Sequence, residues 1–287
     1  MAYLGNGLKY KVCEGYVKIM DGTVAVGKTI IPETIDGLPV TKIGDNAFSC
    51  CRLLTSIIIP NNVTSIGKSA FHDCSSLESI IIPDSVTSIG DYAFCGCRSL
   101  TSITIPSSVT NIGESAFCDC SSLESIIIPD SVTSIGDYAF CGCSSLTSVI
   151  ISEGVASIGK YAFCRCSSLA SITIPNNVTS IEDYAFFECF ALTSITIPDG
   201  VTSIGDGAFR NCSSLASITI PDGVTSIGDE AFYNCSSLGS IIIQNTNCGI
   251  VDSKFTISSI AEIHGYPNST AQAYAEKYNR KFVVLKD

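Results

Sequence analysis

Apolar residues recur along most of the chain in one fixed order. A Leu is followed by two alternating Ile, a Val, another Ile, an Ala-Phe pair and a Cys, with polar residues between them. The Ala-Phe pair falls at 47–48, 70–71, 93–94, 116–117, 139–140, 162–163, 185–186, 208–209 and 231–232, a spacing of 23 residues without insertion or deletion. A fixed period of this length predicts stacked repeats, and it governs how every local motif is read. The unit that begins at Leu100 shows the elements. Ile103 and Ile105 alternate with Ser102 and Thr104, as a strand with one buried face requires. Pro106 ends the strand because it has no N–H for a ladder. Val109 and Ile112 predict a shorter strand on the return side. Gly113 is expected to turn the chain at positive φ. Residues 114–117 suffice only for one helical or 3-10 turn.

Leu100, Ile103, Ile105, Val109, Ile112, Ala116, Phe117 and Cys120 form the inward set of this unit. One unit cannot bury them alone. Parallel strands stacked about 4.8 Å apart bury them between neighbouring coils, and each large side chain contributes on the order of 1.5–3 kcal/mol. Nine such coils extend roughly 43 Å. The open ends of the stack need covers. Residues 1–39 read as an N-terminal cap, with a hairpin of segments 8–13 and 16–20 around Glu14 and Gly15. Residues 40–244 carry the nine repeats. Residues 245–287 read as a C-terminal cap, with a helix from about Thr270 to Tyr278, an N-cap at Asn268 or Ser269, and a last strand over 282–285.

Leu100, Ile103 and Ile105 fit the Leu-x-x-Leu-x-Leu strand pattern of leucine-rich repeats. The whole unit, Ser-Leu-Thr-Ser-Ile-Thr-Ile-Pro-x-x-Val-Thr-x-Ile-Gly-x-x-Ala-Phe-x-x-Cys, resembles the BspA-like leucine-rich repeat proteins. The lead-in over 31–44 and the tail over 263–274 resemble the corresponding segments of bacterial members. The resemblance implies a leucine-rich repeat solenoid of parallel β-strands and short helical or 3-10 turns, capped at both ends. It also implies a cell-surface or secreted location, with adhesion or binding of a host or matrix protein as the role. It carries no catalytic residues. The Asn ladder of the best-known leucine-rich repeats is missing: Asn62, Ser85, Ser108, Ser131, Gly154, Asn177, Gly200 and Gly223 stand at its positions.

Composition narrows the partners. Apolar residues make up 46 % of the 287, yet the longest aliphatic runs are triplets such as Ile57-Ile58-Ile59, far short of the about 20 that a spanning helix needs. No membrane insertion is expected. Residues 1–5 lack the basic start and apolar core of a signal peptide, although one removed earlier would leave no trace. The net charge of −11, with 16 scattered Lys and Arg, argues against nucleic acid and anionic membranes. With 16 Cys, the chain also suits a reducing compartment, so a cytoplasmic location is the alternative.

The outward strand positions form the candidate binding site: Ile58, Ile81, Thr104, Ile127, Ile150, Thr173, Thr196, Thr219 and Ile242. A Ser column from Ser56 to Ser240 runs beside them, and a Pro column from Pro60 to Pro221 is expected to complete the face. An uncharged, partly aliphatic stripe of this kind suits an extended protein partner, although β-branched residues also simply favour strands. Self-association through the same face or the ends is the structural alternative.

The inward Cys column, Cys51 to Cys235, reads as small apolar filling. A second column of Cys95, Cys118, Cys141 and Cys164 allows free thiols, bridges between coils or a soft metal, which makes a thiol-rich metal or redox protein the weaker alternative. His72 shares that column and reads as a surface variation; His264 lies in the C-terminal cap. No catalytic or metal-binding constellation and no cofactor is assigned. The acids Asp45, Asp91, Asp137, Asp183, Asp206 and Asp229 are expected to cap the turns they open. Glu182 interrupts the Gly column, and if that column needs positive φ its coil is strained.

Overall fold

The computed structural model describes residues 2–4 and 7–286. It is a parallel β-solenoid of about 12 turns, because coils continue into both caps. Each repeat supplies one long and one short strand. The long strands stack at an offset of one repeat: Ser125–Ile128 lies beside Ser148–Ile151, with Ser125 opposite Ser148. Short strands such as Ser134–Ile135 and Ser157–Ile158 pair in the same way within a 14-stranded sheet. In the coil of Leu100 the long row narrows to bridges from Ser102 to Ser79 and Ser125. Alternation places every second Ile inward, so a slip of one residue would expose the whole set.

The third side of each coil is a run of overlapping turns. The N–H groups of Ala93, Cys95 and Cys97 donate to carbonyls three residues back, the bonding of a 3-10 turn. The N–H groups of Tyr92, Phe94 and Gly96 donate instead to Glu114, Ala116 and Cys118 of the next coil. Alternate donors therefore serve the coil and its neighbour, which pairs the buried backbone. Left-handed residues produce this alternation, with φ of 57° at Tyr92 and 76° at Gly96.

Positive φ thus falls two residues after the recurring Gly, not on it as expected for Gly113. The Gly column answers to space. A Cβ on Gly113 would lie 2.7 Å from the amide nitrogen of Asp91 and from the carbonyl carbon of Gly90. Glu182 has no left-handed φ either, so the coil does not carry that strain; its carboxylate accepts from the Ser180 hydroxyl at 2.7 Å. Gly136→Ala is expected to cost about 1–3 kcal/mol, the range for overpacking, since the added carbon would meet Glu114 and Gly113 backbone at 2.8 Å. A urea midpoint equal to that of the parent would refute this.

The core is one continuous column. Nine Phe rings from Phe48 to Phe232, all fully buried, stack with centroids 5.2–5.7 Å apart and planes within 7°. The inward thiols do more than fill space. Cys97 Sγ donates to the Phe71 carbonyl and Cys120 Sγ to the Phe94 carbonyl, both at 3.2 Å, and the pattern continues to Cys235. Where an Asn ladder would run, Ser85, Ser108 and Ser131 hydroxyls donate to the carbonyls of Val63, Val86 and Val109 in the preceding coil.

The acids also act between coils. Oδ1 of Asp45, Asp91, Asp137, Asp183 and Asp206 accepts from a backbone N–H one coil further on. They do not cap their own turns, because those turns continue as a ladder and leave the free donor on the neighbour. Only Asp229, in the last repeat, accepts from the adjacent Glu230.

Both ends close on the Phe column. Lys9–Val12 and Val17–Asp21 form the expected hairpin, and the second strand runs parallel to Leu38–Ile43. Gly22 lies over the Phe48 ring, so closely that a Cβ would come within 2.1 Å of it. At the far end Ile257 replaces the Phe and bridges to Phe232. The helix Thr270–Lys277, N-capped by Ser269, buries Tyr274, whose hydroxyl donates to the Ser253 carbonyl at 2.9 Å. Phe282–Val284 adds a final parallel strand beside Glu262–Gly265.

Candidate binding face and thiol ridge

The strand row positions the candidate face, because each residue outward of a buried Ile is held by the register of the sheet. Ile58, Ile81, Ile127 and Ile150 stand out by 44, 81, 60 and 55 % of their surface. Thr104, Thr173, Thr196 and Thr219 are exposed in the same column, while Ile242 is half-buried near the C-terminal cap. Ile30 extends the stripe by one coil: it pairs with Ile58 and is exposed. The repeat count missed it because a bulge between Gly27 and Lys28 shifts the register; the signal was Thr29-Ile30-Ile31-Pro32, which parallels Ile57-Ile58-Ile59-Pro60.

The Ser column is exposed as expected, apart from half-buried Ser56 and Ser240, but the Pro column is not. Pro60, Pro83, Pro106, Pro175, Pro198 and Pro221 are buried, and Pro129 is half-buried. Each turns the corner: the Pro106 carbonyl accepts from the Val109 N–H at 3.0 Å, which tucks the ring against its neighbours. Acids rim the stripe instead, with Glu78 and Glu124 before the strands and Asp84, Asp130, Asp199 and Asp222 after them, all exposed. A depression of about 390 Å³ between Thr196, Thr219 and Gln244 lies on this face. The 520 Å³ cavity beside the C-terminal cap has Tyr233, Lys254, Phe255 and Arg280 on its walls. Arg280 there is a clamp, donating to the carbonyls of Ser259 and Lys254 at 3.1 and 2.9 Å.

The turn side carries the thiol ridge. All 16 cysteines are unbridged. Cys95, Cys118, Cys141 and Cys164 stack on consecutive coils, with Cys164 the most buried, and their thiols hydrogen-bond in series. The bond to Cys118 and then burial push Cys95 up. Cys118 is pushed up to about 12, first by its bond to Cys141. Thiols held protonated in this way are weak nucleophiles at neutral pH. Beside them Tyr138, Tyr161 and Tyr184 stack at 4.6 and 4.8 Å, although each occupies a left-handed position. A group of three at the N-terminal end of the ridge, Cys50, His72 and Asp73, brings its donor atoms within 4.8 Å of one another. The sequence reading passed over it, since its members come from two different columns.

Comparison with known proteins agrees with this architecture. Residues 41–170 and 156–276 match the BspA type leucine rich repeat region, in six copies. No curated protein sequence matches the chain. A leucine-rich repeat protein from Bacteroides ovatus ATCC 8483 is 31 % identical with a TM-score of 0.83, over 99 % of this chain and 77 % of that one. The T. pallidum leucine rich repeat protein is 30 % identical with a TM-score of 0.55, over 72 % of this chain and 87 % of that one. A leucine rich cell surface protein from Faecalibacterium prausnitzii A2-165 is 27 % identical with a TM-score of 0.55, over 100 % of this chain and 95 % of that one. The 23-residue unit, its coil-on-coil stacking and the match across both spans place the chain in the BspA type leucine-rich repeat family.

Proposed function

We propose that this protein is a non-catalytic adhesion module that binds an extended segment of a host or matrix protein along its strand face. Leucine-rich repeat scaffolds of this family serve protein–protein interaction in general, and the strand stripe supplies a surface for it. The observation that carries the reading is the row Ile30, Ile58, Ile81, Ile127 and Ile150, exposed along the strand side between two acidic rims and interrupted by Thr104. Exposed apolar surface rimmed by polar residues marks interaction sites. The rims select a partner with basic residues flanking an apolar stretch, and they would speed its encounter at low salt. A place at the cell surface accords with the name of the Faecalibacterium prausnitzii relative.

The test is a binding assay on immobilised matrix proteins at two salt concentrations. Changing Ile81, Ile127 and Ile150 together to Lys is expected to weaken binding at least about a hundredfold, each site contributing on the order of 1–2 kcal/mol as central contacts do. Undiminished binding by this variant would remove the strand face from the function. Light scattering on the same samples addresses self-assembly: association of the parent that the triple variant loses would make a second copy of the chain the occupant.

A further inference from the structure

The N-terminal end of the thiol ridge departs from its own pattern. One column of left-handed residues is mostly Asp, Gly and Asn, types that tolerate that conformation, and also holds Arg165 and Glu188. Cys50 occupies the same column at φ 60°. In the neighbouring column, His72 stands where the next four coils carry Cys. The two side chains meet. Cys50 Sγ, a ring nitrogen of His72 and a carboxylate oxygen of Asp73 lie within 4.8 Å of one another, with His72 Nδ1 3.9 Å from Asp73 Oδ2.

The backbone beneath them is fixed. The Cys50 N–H donates to the His72 carbonyl and the Asp73 N–H to the Cys95 carbonyl, both at 2.7 Å. Cys50 is exposed and the other two are half-buried, so an ion has a path in and the side chains have room to close. We propose that Cys50, His72 and Asp73 bind a thiophilic divalent cation of the Zn²⁺ class, with a fourth position open to water.

One sulfur, one nitrogen and one oxygen donor form a set that Zn²⁺ accepts. Bonds of about 2.0–2.3 Å put the donors of a tetrahedral site roughly 3.3–3.8 Å apart, so the side chains need draw in by about an ångström. Ca²⁺ and Mg²⁺ require more oxygen donors than the group offers. Cu(I) would favour the all-sulfur row of Cys95, Cys118 and Cys141, which gives the test its control.

Co²⁺ serves as the spectroscopic probe, titrated into the full chain in a non-thiol reductant and then displaced by Zn²⁺. One Co²⁺ per chain is expected, with a thiolate charge-transfer band. Cys50→Ser should abolish the band, and His72→Ala should weaken binding at least about tenfold. The pair Cys118→Ser and Cys141→Ser should leave both unchanged. Circular dichroism verifies that each variant is folded; all three ligands sit on the surface, so they are expected to be. A band that survives Cys50→Ser, a band lost with the ridge pair, or no band at saturating Co²⁺ overturns the site.

Discussion

Raising the pH from about 8 to about 10 is expected to unfold the solenoid, because an unfolded thiol titrates near 8.5 while a buried one keeps its proton. The inward thiols supply the effect. Burial pushes Cys120, Cys143, Cys166, Cys189 and Cys212 well up, and Cys235 up to about 12. Cys51 is raised by its bond to Cys74 and then by burial, and Cys74 and Cys97 are raised too. Above the unfolded value the folded state binds more protons, so stability falls as pH rises. It is fully present below about 8.5 and is lost on the way to the folded values. Each thiol is worth about 1.4 kcal/mol per pH unit in that window. Nine together give roughly 12 kcal/mol per unit, comparable to the whole stability of an ordinary domain.

Urea midpoints measured against pH in reductant check the expectation. The variant Cys120→Ala, Cys143→Ala and Cys166→Ala should show about three-quarters of the parent slope, because Cys95, Cys118, Cys141 and Cys248 are raised as well. A midpoint that stays level up to pH 10 would contradict the buried-thiol account. The acid side is shallower. Asp183, Asp252 and Glu262 are held low, first by bonds from Lys160, Lys277 and Lys281. The stability they contribute is present above about pH 4 and lost as pH falls through their folded values, and exposed pairs of this kind contribute little.

The solenoid itself was legible because its cause is periodic: the equivalent of Phe117 recurs in each of the nine repeats, and only stacking buries it. The hairpin and the C-terminal helix were legible from local chemistry, Gly15 at a turn and Ser269 as a cap. What escaped depends on the neighbouring coil. Nothing in Gly113 distinguishes a left-handed turn from close approach to Asp91, and the latter appears only when coils are stacked. Asp91 looks like a cap until its partner, the Glu114 N–H, is found one coil away. Pro106 alternates like an outward residue, yet the corner folds it inward. The strand stripe was legible, but its first member, Ile30, lay behind a bulge. Cys50, His72 and Asp73 meet only when two columns are laid side by side.

Phe140→Ala is expected to destabilise the protein by about 3–5 kcal/mol and to divide one unfolding transition into two. Phe140 is fully buried and stacks on two rings, Phe117 and Phe163, each at 5.4 Å. Removing it leaves a cavity that the coils cannot close, because the Cys143 and Cys166 thiols and the Phe N–H ladder fix their spacing. In a solenoid each coil touches only its neighbours, so stability is a sum of coil terms and interface terms. Weakening both interfaces at the centre uncouples the two arms, and each then unfolds at its own midpoint. Phe48→Ala makes the contrast. Phe48 has one ring partner, Phe71, and the Gly22 backbone on its other side, so it should trim the end of the stack and leave a single transition. Tyrosine fluorescence reports the difference, since the chain has no Trp and Tyr138, Tyr161 and Tyr184 lie beside the central break. Hydrogen exchange would show protection lost on both sides of Phe140 and only near the N-terminus for Phe48. Equal, single transitions in the two variants would mean that the coils do not couple through the Phe column, and that the strand ladders alone carry cooperativity along the molecule.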